Sequence, residues 1–129
     1  MNAHDRIRVQ HMLEAATEAT AFIKGRAPQH LGADRMLLLA LVKEIEIIGE
    51  AATQLSDELR ERSPEIPWAR IKGMRNQLIH AYSDVNVGLV WSTVVSSGHG
   101  PTGSSTSSVV MSMAAFRLRY TGHLSAKKP

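Results

Sequence analysis

The sequence contains no cysteine and no long uninterrupted apolar run. Without cysteine the chain can form neither a disulfide framework nor a thiolate metal site, and this composition suits a reducing compartment. No apolar run approaches the roughly 20 residues of a membrane-spanning helix. Acidic side chains also interrupt the N-terminal segment where a signal peptide would have its apolar block. We therefore expect a soluble, cytoplasmic protein with no membrane partner.

Acidic residues are missing from the last third of the chain. All 12 Asp and Glu residues lie at or before Asp84, so residues 1–84 carry a net charge of −1 and residues 85–129 carry +4. A basic protein often binds nucleic acid. Here, however, the basic excess belongs to the end of the chain and says little about the remainder.

The composition changes again near Ser96. The run SSGHGPTGSSTSS has no side chains that can form a core, and VVMSMAAFRLRY after it is a candidate terminal helix. We predict a helical domain over residues 1–95, which is large enough to fold as one unit. Residues 96–129 form an atypical, basic Ser/Gly-rich tail, typical of a disordered or frame-shifted end.

Apolar residues recur every three or four positions before the tail, which predicts an all-α fold. A first helix runs from about Asp5 to Lys24 and stops at Gly25. Its buried face consists of Val9, Leu13, Ala16, Ala19 and Ile23. The turn-rich segment GRAPQHLGAD then separates it from one long second helix with a continuous apolar stripe. That stripe consists of Leu38, Leu41, Ile45, Ile48, Ala52, Leu55 and Leu59.

The segment SPEIPW ends the second helix, because its two prolines cannot continue it. A third helix begins near Pro67, with Trp68 as a core anchor and a face that includes Ile71, Met74, Leu78 and Ile79. Ser83 and Asp84 offer cap chemistry for a short fourth helix. The apolar face of that helix consists of Val87, Val90, Trp91 and Val94.

The second helix is unusual because it is apolar on two sides. Such a helix usually lies in the middle of a bundle or is half covered by a second subunit. Glu46 and Glu50 are like charges four residues apart, which costs a few tenths of a kcal/mol unless a cation lies nearby. They are candidates for a supporting acid, on a solvated edge or paired with a buried arginine. Gly49 between them predicts a close helix–helix crossing.

The stretch RNQLIHAY places Arg75, Asn76, His80 and Tyr82 within eight residues. Arginine offers a planar, charged fork to phosphate oxygens, and histidine exchanges protons near neutral pH, so these residue types suit metal-free cleavage of RNA. In a helix, Arg75 and His80 project about 140° apart. They converge if the helix loosens near His80 or if a dimer completes the site. The spacing alone is equally typical of an ordinary helix end with a surface arginine and a capping histidine.

Over a longer span, GMRNQLIHAYSDVNVGLVW, with EIEIIGEAA and IPWARI before it, resembles the HepT-type branch of the HEPN superfamily. These are small helical ribonuclease toxins encoded beside MNT-type minimal nucleotidyltransferase antitoxins. The family motif R-x4-H-x-Y is met by Arg75, His80 and Tyr82, and the asparagine after the arginine by Asn76. The resemblance implies an up-and-down helical bundle that forms a homodimer, with motifs from both subunits in one positively charged cleft.

The resemblance also implies a function. It implies the toxin of a type VII toxin–antitoxin system that cleaves cellular RNA, tRNA or mRNA, without metal or cofactor, with Arg75, His80 and Asn76 as catalytic residues. It further implies that the partner nucleotidyltransferase adds AMP to Tyr82, which would place negative charge and bulk beside Arg75. The alternative is a catalytically inactive helical partner that binds the nucleotidyltransferase or a nucleotide. The intact motif favours the ribonuclease, and the altered tail favours the alternative.

The remaining histidines predict no metal site. His4 and His11 lie two helical turns apart, about 10 Å, which is too far to ligate one ion. His30, His99 and His123 fall in predicted loops without partners at metal-ligand spacing. The glycine-rich run GHGPTGSS lacks the lysine and the setting of a phosphate-binding loop.

Overall fold

The computed structural model describes residues 2–80 and 87–95 together with Met113, and it describes the backbone alone for residues 78–80. Every element in these ranges is an α-helix, which confirms the predicted all-helical class. The helices are α1 (Ala3–Phe22), α2 (Pro28–Ala33), α3 (Arg35–Thr53), α4 (Asp57–Arg62), α5 (Trp68–His80) and α6 (Val87–Val94). None of the described helices is both long enough and apolar enough to span a membrane.

Helix α1 begins at a side-chain cap and ends at a glycine turn. The Asn2 Oδ1 atom accepts a hydrogen bond of 2.7 Å from the backbone N–H of Asp5. After the helix, Gly25 has φ +75°, in the left-handed region that favours glycine, so the predicted stop is confirmed. The predicted face is partly right, since Leu13 and Ile23 only border the core. The buried residues of α1 are Asp5, Val9, Met12, Ala15, Ala16 and Ala19.

The segment predicted as turns contains the short helix α2, so that prediction is wrong. Pro28 occupies the first helical position, where its missing N–H costs nothing. The His30 Nδ1 atom accepts a hydrogen bond of 2.7 Å from the Ala27 N–H, which places His30 in the helix and not in a loop. Leu31 is completely buried and anchors this helix to the core. A single buried leucine leaves no periodic signal in the sequence.

The long second helix of the prediction is two helices, α3 and α4. All seven residues of its predicted stripe are buried, so the face is right and the continuity is wrong. The chain turns at Ser56, whose Oγ accepts a hydrogen bond from the Leu59 N–H and caps α4. The buried Asp5 carboxylate of α1 accepts hydrogen bonds from the Ser56 N–H (3.0 Å) and Oγ (2.6 Å). A residue 51 positions away therefore stabilises the break.

Helix α3 lies in the middle of the bundle, as its two apolar sides predict. It packs mainly against α1 and α5 and also contacts α2 and α6. Helix α5 begins directly after Pro67, as predicted. The Trp68 Nε1 atom donates a hydrogen bond of 2.9 Å to the Ser63 carbonyl, and its ring packs against the core, which confirms the core anchor.

The last described elements close the core. In α6, Val90 and Val94 are buried, and Val87 and Trp91 pack against the core, as their spacing predicts. Met113 is also part of the core cluster. The predicted cap at Ser83 and Asp84 and the rest of residues 96–129 lie outside the described residues, so the domain boundary at residue 95 stays a prediction.

One buried carboxyl group makes stability depend on pH. Glu44 on α3 is 6% exposed, and its Oε2 atom has no hydrogen-bond partner among the described residues. Burial, then a hydrogen bond and charge repulsion from Glu18, raise the pKa of Glu44 from 4.5 to about 7. Between these values the unfolded chain loses a proton that the folded chain keeps. The free energy of unfolding therefore falls as the pH rises from about 4.5 to 7.

We expect Glu44→Gln to be more stable than the wild type at pH 8, by on the order of 1 to 3 kcal/mol, because it removes this ionisation. The difference should shrink toward pH 4, where the Glu44 carboxyl is protonated in both states. Urea unfolding between pH 4 and 8 measures it. Glu61→Gln, at an exposed position of α4, is the matched control and should show little pH-dependent gain. Equal pH profiles for the two variants would contradict the prediction.

Candidate functional site

Helices α3 and α5 cross at Gly49. A Cβ atom built at Gly49 would lie 2.8 Å from the Arg75 Cβ and 3.1 Å from its Cγ and Cδ. These contacts are too short for any side chain, so only glycine allows the aliphatic stem of Arg75 to lie against the α3 backbone. The close crossing predicted from Gly49 is confirmed, and it fixes where Arg75 leaves α5.

Two glycine-to-alanine substitutions should have opposite effects on stability. Gly49→Ala is expected to destabilise the fold by about 1 kcal/mol, because overpacking of about 1–3 kcal/mol outweighs a helix-propensity gain of about 1 kcal/mol. Gly73→Ala, on α5 with nothing within 4 Å of an added Cβ, should stabilise by up to about 1 kcal/mol. Urea unfolding of each variant measures whether its free energy of unfolding is lower or higher than that of the wild type. If Gly49→Ala were more stable than the wild type, α3 and α5 could move apart with little loss of free energy, and the prediction would be wrong.

Arg75 forms an ion pair with Glu50 across this crossing. The Arg75 Nη2 atom donates to the Glu50 Oε2 at 2.5 Å, and the side chains are 27% and 52% exposed. The arginine partner expected for the glutamate pair is therefore present for Glu50, but at the surface and not buried. An ion pair this exposed contributes at most about 1 kcal/mol. Its main effect is to hold the guanidinium of Arg75 in one direction.

Arg75 and Glu50 lie in a groove of about 380 Å³ between α1, α3 and α5. Arg8 and His11 are three residues apart and therefore share a face of α1, as Lys43, Glu46 and Glu50 share a face of α3. The groove is lined by Arg8, His11, Lys43, Glu46, Ile47, Glu50, Ala51 and Arg75; it is called the α1–α3–α5 groove below. With His11 neutral, its three cations and two carboxylates give it a net charge of +1.

The predicted site residues are only partly brought together. Arg75, Glu46 and Glu50 line the groove, and Asn76 is exposed next to Arg75. Helix α5 continues through His80, so the loosening that would turn His80 toward Arg75 is not observed. The two residues keep their angular separation of about 140° along α5. The side chain of His80 and the whole of Tyr82 lie outside the described residues.

The basic side of the groove was not predictable from the sequence. In the sequence, the polar faces of the two helices that contain Arg8, His11 and Lys43 look like ordinary solvent-exposed surfaces. The residue pattern of one helix does not identify the helix that packs beside it. The α1–α3 and α3–α5 packing brings these residues to Arg75. Among the described residues, no three His, Asp or Glu side chains are placed to hold a metal ion.

Comparisons with known proteins identify relatives of this chain. The chain is 37% identical over 87 residues, 67% of this chain and 78% of the relative, to "Putative RNase TTE0752" of Caldanaerobacter subterraneus subsp. tengcongensis. It is 34% identical over 83 residues, 64% and 76% of the two chains, to "Putative RNase MJ1380" of Methanocaldococcus jannaschii. It is 41% identical over 61 residues, 47% and 56%, to "Probable ribonuclease HepT" of Thermococcus cleftensis.

No solved structure matches the chain. Residues 12–99 match the family described as Ribonuclease HepT-like, and this match covers helices α2 to α6 and the second half of α1. It therefore includes the Gly49 crossing and the Arg75 to Tyr82 motif. The match confirms the family that the motif indicated. The chain belongs to the HepT-like ribonuclease family.

Proposed function

We propose that the protein is an endoribonuclease that cleaves cellular RNA without a metal ion and acts as the toxin of a toxin–antitoxin pair. The position of Arg75 carries this proposal. Its guanidinium projects into a groove with a net positive charge and is held there by Glu50 and the Gly49 crossing. A fixed arginine fork in a basic groove suits the two non-bridging oxygens of a phosphodiester.

The chemistry needs a base, an acid and a group that stabilises negative charge. A histidine takes the proton of the ribose 2′-hydroxyl, and the 2′-oxygen then attacks phosphorus. The bond to the 5′-oxygen breaks as that oxygen receives a proton, which leaves a 2′,3′-cyclic phosphate and a 5′-hydroxyl. We assign the proton transfers to His80 and the charge stabilisation to Arg75. Asn76 orients the phosphate, and Glu50 and Glu46 act as supporting acids that keep Arg75 in place.

A homodimer suits this assignment. Because α5 is helical through His80, positions 75 and 80 of one chain lie about 140° apart around the helix axis. A two-fold axis beside α5 would place Arg75 of one subunit next to the histidine of the other.

Control of the toxin is assigned to Tyr82. Addition of AMP to its hydroxyl by an MNT-type nucleotidyltransferase antitoxin joins a phosphodiester to a residue seven positions after Arg75. The new negative charge pairs with Arg75 or repels the RNA phosphate, and the nucleoside fills the cleft. Cleavage should therefore stop once Tyr82 is adenylylated. Active protein fully adenylylated at Tyr82 would contradict this assignment.

The proposal is tested by incubating the purified full-length protein with total RNA, and then with purified tRNA, in EDTA. We expect cleavage that EDTA does not inhibit, with 2′,3′-cyclic phosphate ends on the products. No cleavage by a folded dimer would favour the second candidate, a catalytically inactive partner that binds the nucleotidyltransferase or a nucleotide. Cleavage that ceases in EDTA and returns with a divalent ion would overturn the metal-free mechanism.

A further inference from the structure

We infer that Arg8 and Lys43 form a binding subsite for a second phosphate of single-stranded RNA, beside the phosphate held by Arg75. This inference rests on the proposed function, because it takes RNA as the substrate. It adds Arg8 of α1 and Lys43 of α3 to a site otherwise formed by α5 and by Glu46 and Glu50 of α3. The assigned role of these two residues is to bind and position the strand, and not to take part in the chemistry.

The two residues face Arg75 across one continuous surface. Arg8 on α1 and Lys43 on α3 line the same groove as Arg75. On α3, Lys43 and Glu50 are seven residues apart, which is two helical turns or about 10 Å, and Glu50 holds Arg75. The groove therefore continues from Arg75 along α3, past Glu50 and Glu46, to Lys43. A strand whose scissile phosphate lies at Arg75 would pass its neighbouring phosphates over Lys43 and Arg8.

Neither Arg8 nor Lys43 forms an ion pair within the described part of the chain. The arginines in ion pairs with described carboxylates are Arg26, Arg60, Arg62 and Arg75. No ion pair joins Arg8 or Lys43 to a carboxylate among those residues. With no ion-pair partner in the described part of the chain, Arg8 and Lys43 are available for an external anion, whereas Arg75 must first leave Glu50.

The rest of the lining fits a nucleotide strand. Ile47 and Ala51 give the groove an apolar part on which a sugar or base can pack. His11 adds a ring N–H that can donate to a phosphate oxygen. The carboxylates of Glu46 and Glu50 repel any anion whose charges cannot be placed directly on the cations of the groove. A strand that alternates phosphates with apolar groups matches this pattern.

The test measures binding of a fluorescently labelled single-stranded oligomer of 2′-O-methyl RNA, which has no 2′-hydroxyl and cannot be cleaved. Its affinity for the full-length chain is followed by fluorescence anisotropy between 50 and 300 mM salt. We expect Arg8→Ala and Lys43→Ala each to weaken binding about 3- to 10-fold. Each should also reduce the slope of log affinity against log salt by about 0.7.

Two control variants remove the same charges elsewhere. Arg6→Ala removes an exposed arginine from the same helix as Arg8, about 160° around its axis. Lys24→Ala removes an exposed lysine beyond the end of α1. Both should bind RNA within about twofold of the wild type. Lys43→Arg, which keeps the charge, should bind like the wild type, and thermal melting of each variant shows that the fold is retained.

The possible outcomes separate this inference from the proposed function. If the wild type cleaves RNA but the Arg8 and Lys43 variants bind like the controls, the subsite is wrong and the ribonuclease stands. If binding depends on Arg8 and Lys43 but no RNA is cleaved, the subsite stands and the catalytic assignment is wrong. If the wild type does not bind the oligomer, the subsite is wrong whatever the cleavage result.

Discussion

Alanine at Arg75 is expected to slow RNA cleavage by about 10² to 10³-fold, and alanine at His80 by about 10² to 10⁴-fold. Without Arg75 the negative charge on phosphorus loses its stabilising fork, and without His80 the proton transfers fall to water. The Arg75 loss should come without unfolding, because its half-exposed ion pair with Glu50 contributes at most about 1 kcal/mol. Single-turnover cleavage of a labelled RNA, beside a thermal melt, measures both properties.

Two further arginine variants make the test specific. Arg70→Ala removes an exposed arginine from the same helix, one and a half turns before Arg75, and should leave the cleavage rate within about twofold. Arg75→Lys keeps the charge without the planar fork and should recover only part of the rate. Equal losses from Arg70→Ala and Arg75→Ala would show that general charge, and not the placement of Arg75, supports cleavage.

A mixing experiment then tests whether the two subunits of the proposed dimer share one site. If Arg75 of one subunit works with His80 of the other, a dimer of one Arg75→Ala chain and one His80→Ala chain keeps one intact site. A statistical mixture of the two inactive variants should recover about a quarter of the wild-type activity. If both residues act within one chain, no mixture recovers activity.

Asp5→Ala should reduce the free energy of unfolding by about 3 kcal/mol, because it removes a buried carboxylate and leaves two partly buried donors of Ser56 without a charged acceptor. For a domain of this size, this corresponds to a fall in Tm of roughly 10 °C. Asp5 is 2% exposed and joins the start of α1 to the cap of α4. Thermal and urea unfolding measure the change. Asp57→Ala, which removes an exposed carboxylate of α4, is the control and should cost less than about 1 kcal/mol.

A double-mutant cycle separates this contact from other effects of the substitution. Ser56→Ala removes the hydroxyl that donates to Asp5 and also the cap of α4. If the contact is energetically important, the double variant should lose less stability than the sum of the two single losses, with a coupling of about 1 kcal/mol or more. Strict additivity would mean that the two side chains stabilise the fold independently.

The sequence predicted the features that depend on neighbouring residues along one helix. The apolar stripe of α3 and α4, the glycine stop at Gly25 and the core position of Trp68 are all local patterns. The close approach at Gly49 was also predictable, because a glycine inside a strong helix has few other uses.

Features that depend on long-range packing were not predictable. The break at Ser56 requires a carboxylate from α1, and the helix α2 depends on one buried leucine. The basic side of the groove comes from Arg8 and Lys43, whose helices each look like ordinary solvated surfaces until α1 and α3 are packed together. Periodicity identifies the buried face of a helix, but it does not identify the neighbour that faces its polar side.

The ion pair between Arg75 and Glu50 makes substrate binding an exchange of anions. In the free protein the Glu50 carboxylate already occupies the position that the proposed mechanism gives to a phosphate oxygen. Under that mechanism Arg75 gains little net attraction when RNA binds. Its benefit is greatest when the phosphate gains charge during the reaction, because a doubly charged phosphorane competes with Glu50 better than a singly charged diester does. Affinity for RNA would then come from other cations in the groove, whereas Arg75 would act mainly on the rate.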